Sequence, residues 1–564
     1  MVLAATLGTA ALPSVAAADS GVTTVMGELV HVVSESEPGS DHHDDGGARL
    51  TWVRTGTGAV RVLADQVAEV PAGSTVELTV GATVEDEASE AGLDPARTVL
   101  SSDVVAGPPV SSPAPAPAPV PTPRNGLTNR VTVVLVAPAG TAPDGTRLRD
   151  VVTAVDGPVA RFWAEQTAGG ISVGVTDAHE WVRTTADCTS PELMWDEVAG
   201  KVGFVPGPGR HLLLRLSGQT AGQPACSYAL AQVGAGPGSG GRLYVRETSA
   251  SVIAHELGHN FGLGHSSAEQ CDGTIEGGSC QVQGYRDYYD VMGASWAQLG
   301  ALNASQAAAL GVLPASGQRS VSVGDATTTV TLSPLAGNEG VRALRLIDAE
   351  GVAYWLQVRA ATGQDVWLAT GDNGFRLDTG VLVHRTGSFP DTSLLLDATP
   401  GPAARWDADL QSALPVGVPV SLSGRDFTLT VHRSDATGAV VQVVPAARTS
   451  GEGVPAESGG PARGTTVPAG AAGAAGSGGS HGAGGAADPA DGLAPVAEAT
   501  GQPAPYAYWG PAPGFSAPRR SVSLKPVADT SGSWGSLTMP LAATVAAGGS
   551  VLVVFNLRRA ARRR

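Results

Sequence analysis

The chain has 564 residues, a formal net charge of −17 and 42% hydrophobic residues. That length holds three or four domains with a core in each. The acidic balance excludes a surface built to grip phosphates, so no nucleic-acid partner is expected.

Residues 1–18 are small and apolar and end Val15-Ala16-Ala17-Ala18, which suits cleavage after Ala18 as a secretory signal peptide. No Lys or Arg precedes the apolar core, so the signal reads as truncated at its start. Residues 19–107 read as a small β domain: Glu28–Val33, Ala59–Leu63 and Ser74–Val80 alternate and are rich in β-branched residues, with Gly and Pro between them. Asp41-His42-His43-Asp44-Asp45 has metal-binding residue types, but nothing fixes its geometry and it reads as a solvated loop. Residues 108–126, with the run Pro113-Ala114-Pro115-Ala116-Pro117, form an extended linker.

Residues 127–316 alternate strands with helices, the pattern of an α/β layer. Strands are expected at Arg130–Val136, Ile171–Val182, His211–Leu216 and Arg242–Arg246, and a helix over Leu148–Thr167. Next comes His255-Glu256-Leu257-Gly258-His259-Asn260-Phe261-Gly262-Leu263-Gly264-His265. On a helix beginning near Thr248 or Ser249, His255 and His259 project from one face and reach one ion. Gly262 takes a positive φ without a Cβ clash, so the helix can stop and bring His265 round as a third ligand. Three nitrogens leave a fourth tetrahedral position for water, the arrangement of catalytic Zn2+. Glu256, next to the first ligand, is placed to take that water's proton and pass it to a leaving amine. By chance the two-histidine core of the motif occurs in roughly one chain in a hundred of this length; with Gly262 and His265 the figure falls to about one in a hundred thousand.

Downstream, Tyr288-Tyr289-Asp290-Val291-Met292-Gly293 supplies a turn in which Met292 would lie as an apolar floor beneath the histidines. With this turn the sequence resembles the metzincin zinc metallopeptidases, most like the gametolysin-type peptidases. The likeness is specific over His255–His265 and Met292 and looser over 127–445. Ser266 after the third histidine is matrixin-like, whereas Asn260 after the second is reprolysin-like. No Tyr stands two residues after Met292, so the tyrosine ligand of some metzincins is not expected. The resemblance implies a metzincin-like catalytic domain and a wall for the substrate pocket at Gly293–Trp296. It also implies that, if Arg242–Arg246 forms the sheet's lower edge, a peptide substrate can add to it as a strand. The N-terminal domain lacks cysteine, so it cannot silence the metal with a thiolate as matrixin propeptides do; whether it is a propeptide or an accessory domain stays open.

Cys188, Cys226, Cys271 and Cys280 are the four cysteines, an even number in a chain with secretion features. Two disulfides are expected, Cys188 with Cys226 and Cys271 with Cys280, with a structural zinc as the rival reading. Residues 317–446 become all β, the pattern of a β-sandwich. Trp355, Trp367 and Trp406 there read as core rather than as sugar platforms. Residues 447–538 are a low-complexity stalk too poor in apolar residues to fold. Residues 539–557 contain an apolar run long enough for a transmembrane helix, and 558–564 are a basic tail expected on the cytoplasmic side.

The fold class expected is therefore multidomain: an α/β catalytic domain flanked by an N-terminal small β domain and a C-terminal β-sandwich, then stalk and membrane helix. The function expected is an extracellular zinc endopeptidase acting on a protein or peptide substrate, tethered to the outer face of the membrane. Calcium has no supporting motif. Two rivals stand beside it: a surface-anchored binding protein for cell wall or host with a vestigial zinc site, and a zinc amidase acting on peptidoglycan stem peptides.

Overall fold

The computed structural model describes residues 21–36, 49–108, 126–295, 298–402 and 408–447. The expected signal segment, the Asp41–Asp45 cluster, linker residues 109–125, Trp296, Trp406, the stalk beyond residue 447, the apolar run and the arginine tail lie outside the described residues. Among the described residues no helix is long and apolar enough to cross a membrane.

Five strands open the chain: β1 (Thr23–Glu35), β2 (Arg49–Thr55), β3 (Gly58–Val62), β4 (Thr75–Val84) and β5 (Ala96–Ala106). Their neighbours run β2-β3-β5-β4-β1, and β1 pairs back with β2, so the sheet closes into a five-stranded barrel. Alternation explains it. In β4, Val76, Leu78 and Val80 point inward to Leu29, Val53 and Val62 while Glu77 faces water. A single helical turn, α1 (Glu87–Glu90), joins β4 to β5 and is closed by a capping box between Asp86 and Ser89.

The next segment lays down β6 (Asn129–Ala137), α2 (Leu148–Ala154), α3 (Ala160–Gln166), β7 (Val173–Arg183), α4 (Pro191–Val202), β8 (Arg210–Leu216), β9 (Ala229–Gln232), β10 (Gly241–Val245) and α5 (Ala250–Asn260). The helix expected over Leu148–Thr167 is continuous but widens into a π turn at Val155–Val159, where Pro158 cannot donate the usual bond. β10, β8, β6 and β7 are parallel, and β9 runs antiparallel beside β10. Helices cover both faces of the sheet, so its strands read as apolar runs. Val131, Val133, Leu135 and Leu213 face α5 and the helices before it; Val134, Val136, Leu212 and Leu214 face α4.

Two expectations change at this point. The strand expected at Arg242–Arg246 is interior: β9, whose four residues alternation alone did not reveal, lies between it and β1. The N-terminal strands, expected as a domain to themselves, continue the same sheet, because β1 pairs with β9.

After α5 come β11 (Ser266–Cys271), β12 (Cys280–Gln283), α6 (Ala304–Ala309), β13 (Gln318–Ser322), β14 (Thr328–Leu332), β15 (Ala343–Ile347), β16 (Ala353–Arg359), β17 (Gly380–Thr386), β18 (Ser393–Leu396), β19 (Val420–Leu422), β20 (Phe427–Asp435) and β21 (Gly438–Pro445). A seven-stranded sheet, β12-β11-β18-β17-β16-β15-β13, packs on a four-stranded one, β14-β21-β20-β19. The larger sheet starts with β11, the strand directly after His265, so the boundary expected between 316 and 317 is crossed by hydrogen-bonded pairing. Trp355 and Trp367 are both buried.

Candidate metal centre

α5 carries the site because its sequence lets it be buried on every side. From Ser251 to Asn260 each residue is buried, with Val252, Ile253 and Leu257 in the core shared with the sheet. Ser249 occupies the cap position without a side-chain bond. Gly258 permits the closest approach: a Cβ there would lie 2.3 Å from Met292 Sδ. Gly262 has φ +94°, and a Cβ on it would meet the Gly234 carbonyl at 2.9 Å, so the expected chain reversal needs glycine on both counts.

The three predicted histidines meet. His255 Nε2 and His259 Nε2 are 3.1 Å apart. The other ring nitrogens of these two lie 2.7 Å from the Val291 carbonyl and 2.8 Å from the Leu263 carbonyl. A carbonyl accepts only from N–H, so each ring carries its proton on Nδ1 and turns a lone pair inward from Nε2. His265 is set by the β17–β18 loop: its N–H donates to Pro390 O at 2.6 Å and its carbonyl accepts from Ser393 N–H at 3.3 Å.

Sequence reasoning missed the fourth donor. Glu35, the last residue of β1, places Oε1 3.4 Å from His255 Nε2 and 3.3 Å from both His259 Nε2 and His265 Nε2. Oε1 at 3.3–3.4 Å from the three ring nitrogens, with His255 and His259 Nε2 3.1 Å apart, gives spacings close to the edges of a tetrahedron with bonds near 2.0–2.1 Å, as zinc needs. The residues therefore fit the ion, and the position expected to stand open is taken by a carboxylate. No local signal could have found Glu35, which lies 224 residues before His259.

Glu256 is fully buried, and neither carboxylate oxygen has a hydrogen-bond partner among the described residues. Burial, and then the Glu35 charge, push its carboxyl well above the ordinary range. Glu35 moves the other way: burial opposes its charge, but His255 and His265 hold it well below the ordinary carboxylate range. Tyr285 is a second residue that sequence reasoning missed. Its ring lies 3.9 Å from that of His265, and its φ of +59° is a left-handed backbone that a bulky residue adopts only when its surroundings impose it.

Met292 is buried beneath the helix, against Gly258. Its turn is held by carboxylates. Asp290 accepts from the Met292 N–H at 2.7 Å and the Asn303 N–H at 2.5 Å. Burial, and then Asp287, push Asp290 up to about 8. Asp287 accepts from Ser266 Oγ at 2.7 Å and pairs with His384 Nε2 at 2.9 Å, while Arg359 lies 3.7 Å from Asp290. Arg359 and His384 belong to β16 and β17, so the C-terminal sheet buttresses the floor of the site. Both expected disulfides are present: Cys188–Cys226 ties the approach to α4 to the loop before β9, and Cys271–Cys280 closes the β11–β12 hairpin.

Residues 222–307 match the family model described as Metallo-peptidase family M12B Reprolysin-like. That stretch holds β9, β10, α5, all three histidines, Glu256 and Met292, and the match supports a metallopeptidase of a family that is usually zinc-dependent. Comparison with the curated proteins finds no match. Among solved structures, a chain described as "Structure of a chaperone-substrate complex" aligns with TM-score 0.17 and 10% identity, over 44% of this chain and 30% of that one.

Proposed function

We propose that the protein is a metzincin-type zinc endopeptidase of the gametolysin kind, exported and tethered outside the membrane, with His255, His259 and His265 as ligands and Glu256 as general base and then general acid. One observation carries the reading: a second buried carboxylate, Glu256, stands without a partner beside three histidines that already suffice to hold an ion. Burying a carboxylate unpaired costs several kcal/mol, which a purely structural site has no reason to incur.

Zinc held there supplies Lewis acidity, polarising the scissile carbonyl and making water a better nucleophile near neutral pH. Glu256 takes the proton of the attacking water and returns it to the amine as the peptide bond breaks. His255 and His259, with their Nδ1 protons committed to backbone carbonyls, keep their inward nitrogens free of protons. A peptide that displaced β1 from β9 would pair its backbone with that strand, which favours unfolded or extended protein segments as substrate.

The filled fourth position favours a second reading, in which four protein donors hold an inert zinc and the chain serves as a surface-anchored binding protein. Glu256→Gln separates the two. In the full-length chain carrying Glu35→Ala, adding Glu256→Gln should lower peptide hydrolysis by about 10²–10⁴-fold while zinc content stays at one ion per chain. Undiminished cleavage would refute Glu256 as the base, and no cleavage in either chain would favour the inert site.

A further inference from the structure

β1 belongs to two structures at once. Thr23–Glu28 pair with β4 inside the barrel, whereas Val32–Glu35 pair antiparallel with β9, Val32 and Val33 keeping their pairing with β2 on the other side. Both ends of the second ladder are closed, by Tyr228 N–H on the Glu35 carbonyl and Val233 N–H on the His31 carbonyl, each at 2.8 Å. Without β1, β9 would be the bare edge of the sheet beside the metal centre, the place where an extended peptide would add. The strand on that edge ends with a carboxylate at the fourth corner of the donor set.

The rest of the barrel is built to hold this end in place. Val30, Val32, Leu50 and Trp52 join the core that contains Trp195, Leu230 and Tyr244. Arg54 reaches across to Glu192 and Asp196, at 3.2 Å each. Burying Glu35 beside the neighbouring Glu256 is unfavourable unless positive charge offsets it, and a metal ion held by the three ring nitrogens would supply that charge.

We propose that the N-terminal barrel is an inhibitor carried on the same chain, with β1 lying on the substrate edge of β9 and Glu35 supplying the carboxylate that closes the metal's fourth position. The inference rests on the peptidase reading of this site. A thiolate is replaced by a carboxylate, which explains how a domain without cysteine can silence the centre. Activity then rises when Glu35 leaves the ion and rises again when β1 leaves β9, two separable events.

The test uses the full-length chain loaded with Co2+, as wild type, Glu35→Gln and Glu35→Ala, with circular dichroism and thermal melting to confirm that each is folded. Acetohydroxamate, a small metal-binding probe, is titrated while the visible absorption bands are recorded. Glu35→Ala should show altered bands before any probe is added and should bind the probe about 100-fold more tightly than wild type. Glu35→Gln should fall between them, and it stands in if the alanine variant fails to fold. Peptide hydrolysis should rise in Glu35→Ala by less than probe binding does, because β1 still covers β9. Identical bands and equal probe affinity in wild type and Glu35→Ala would overturn the proposal whatever the hydrolysis. Shifted bands with no hydrolysis in either chain would keep Glu35 as fourth ligand but overturn the inhibitor, because the peptidase reading beneath it would have failed.

Discussion

At the scale of single residues, the site is two carboxylates with opposite tasks around one trio of imidazoles. Glu256 is adjacent in sequence to its first histidine and was legible from spacing alone; Glu35 arrives from another element and carried no signal. Glycine is the other residue-scale determinant. Gly258 leaves the space that Met292 fills, so Gly258→Ala would force α5 away from the turn below it. The expected cost is about 1–3 kcal/mol of stability with a weaker hold on zinc, measured by urea unfolding and by the rate of zinc release to a chelator. Unchanged values in both would show that Met292 does not floor the site.

At the scale of elements, α5 is locked to the sheet through a buried histidine outside the donor set. His211, on β8, bridges Asn129 and Asn260 at 2.9 Å each, and burial, partly countered by the bond to Asn260, lowers it to about 4. The unfolded chain takes up this proton near 6.5 and the folded chain only near 4, so between those values the unfolded state binds more protons and stability falls as pH falls. The loss amounts to about 3 kcal/mol across that window. Denaturant unfolding between pH 7.5 and 4 should show a slope that flattens by about this amount in His211→Gln; an equal slope in both chains would place the acid sensitivity elsewhere. Element boundaries were legible where the period was long, as in β6 and α5. They were not in β9, where four residues of Ala-Leu-Ala-Gln hold too little alternation to mark a strand.

At the scale of the whole molecule, what spacing cannot express is which distant segments meet. The sequence showed a β-rich start, an α/β middle and a β end, but not that β1 would extend the middle sheet or that β11 would open the last one, since both facts are pairings between residues far apart in the chain. The same holds for the support of Met292: Arg359 and His384 read as ordinary strand residues until β16 and β17 bring them beneath Asp287 and Asp290. The three histidines were legible because a helix and one glycine turn fix their geometry locally. The measurement that tests the account most directly is a digestion of a mixed peptide library by the full-length Glu35→Ala chain, with every cut mapped, before and after zinc is stripped and restored. The account predicts internal cuts that vanish with the metal, return with it, and are lost when Glu256→Gln is added. Cuts that persist without zinc, or a zinc-loaded folded chain that cuts nothing, would contradict it.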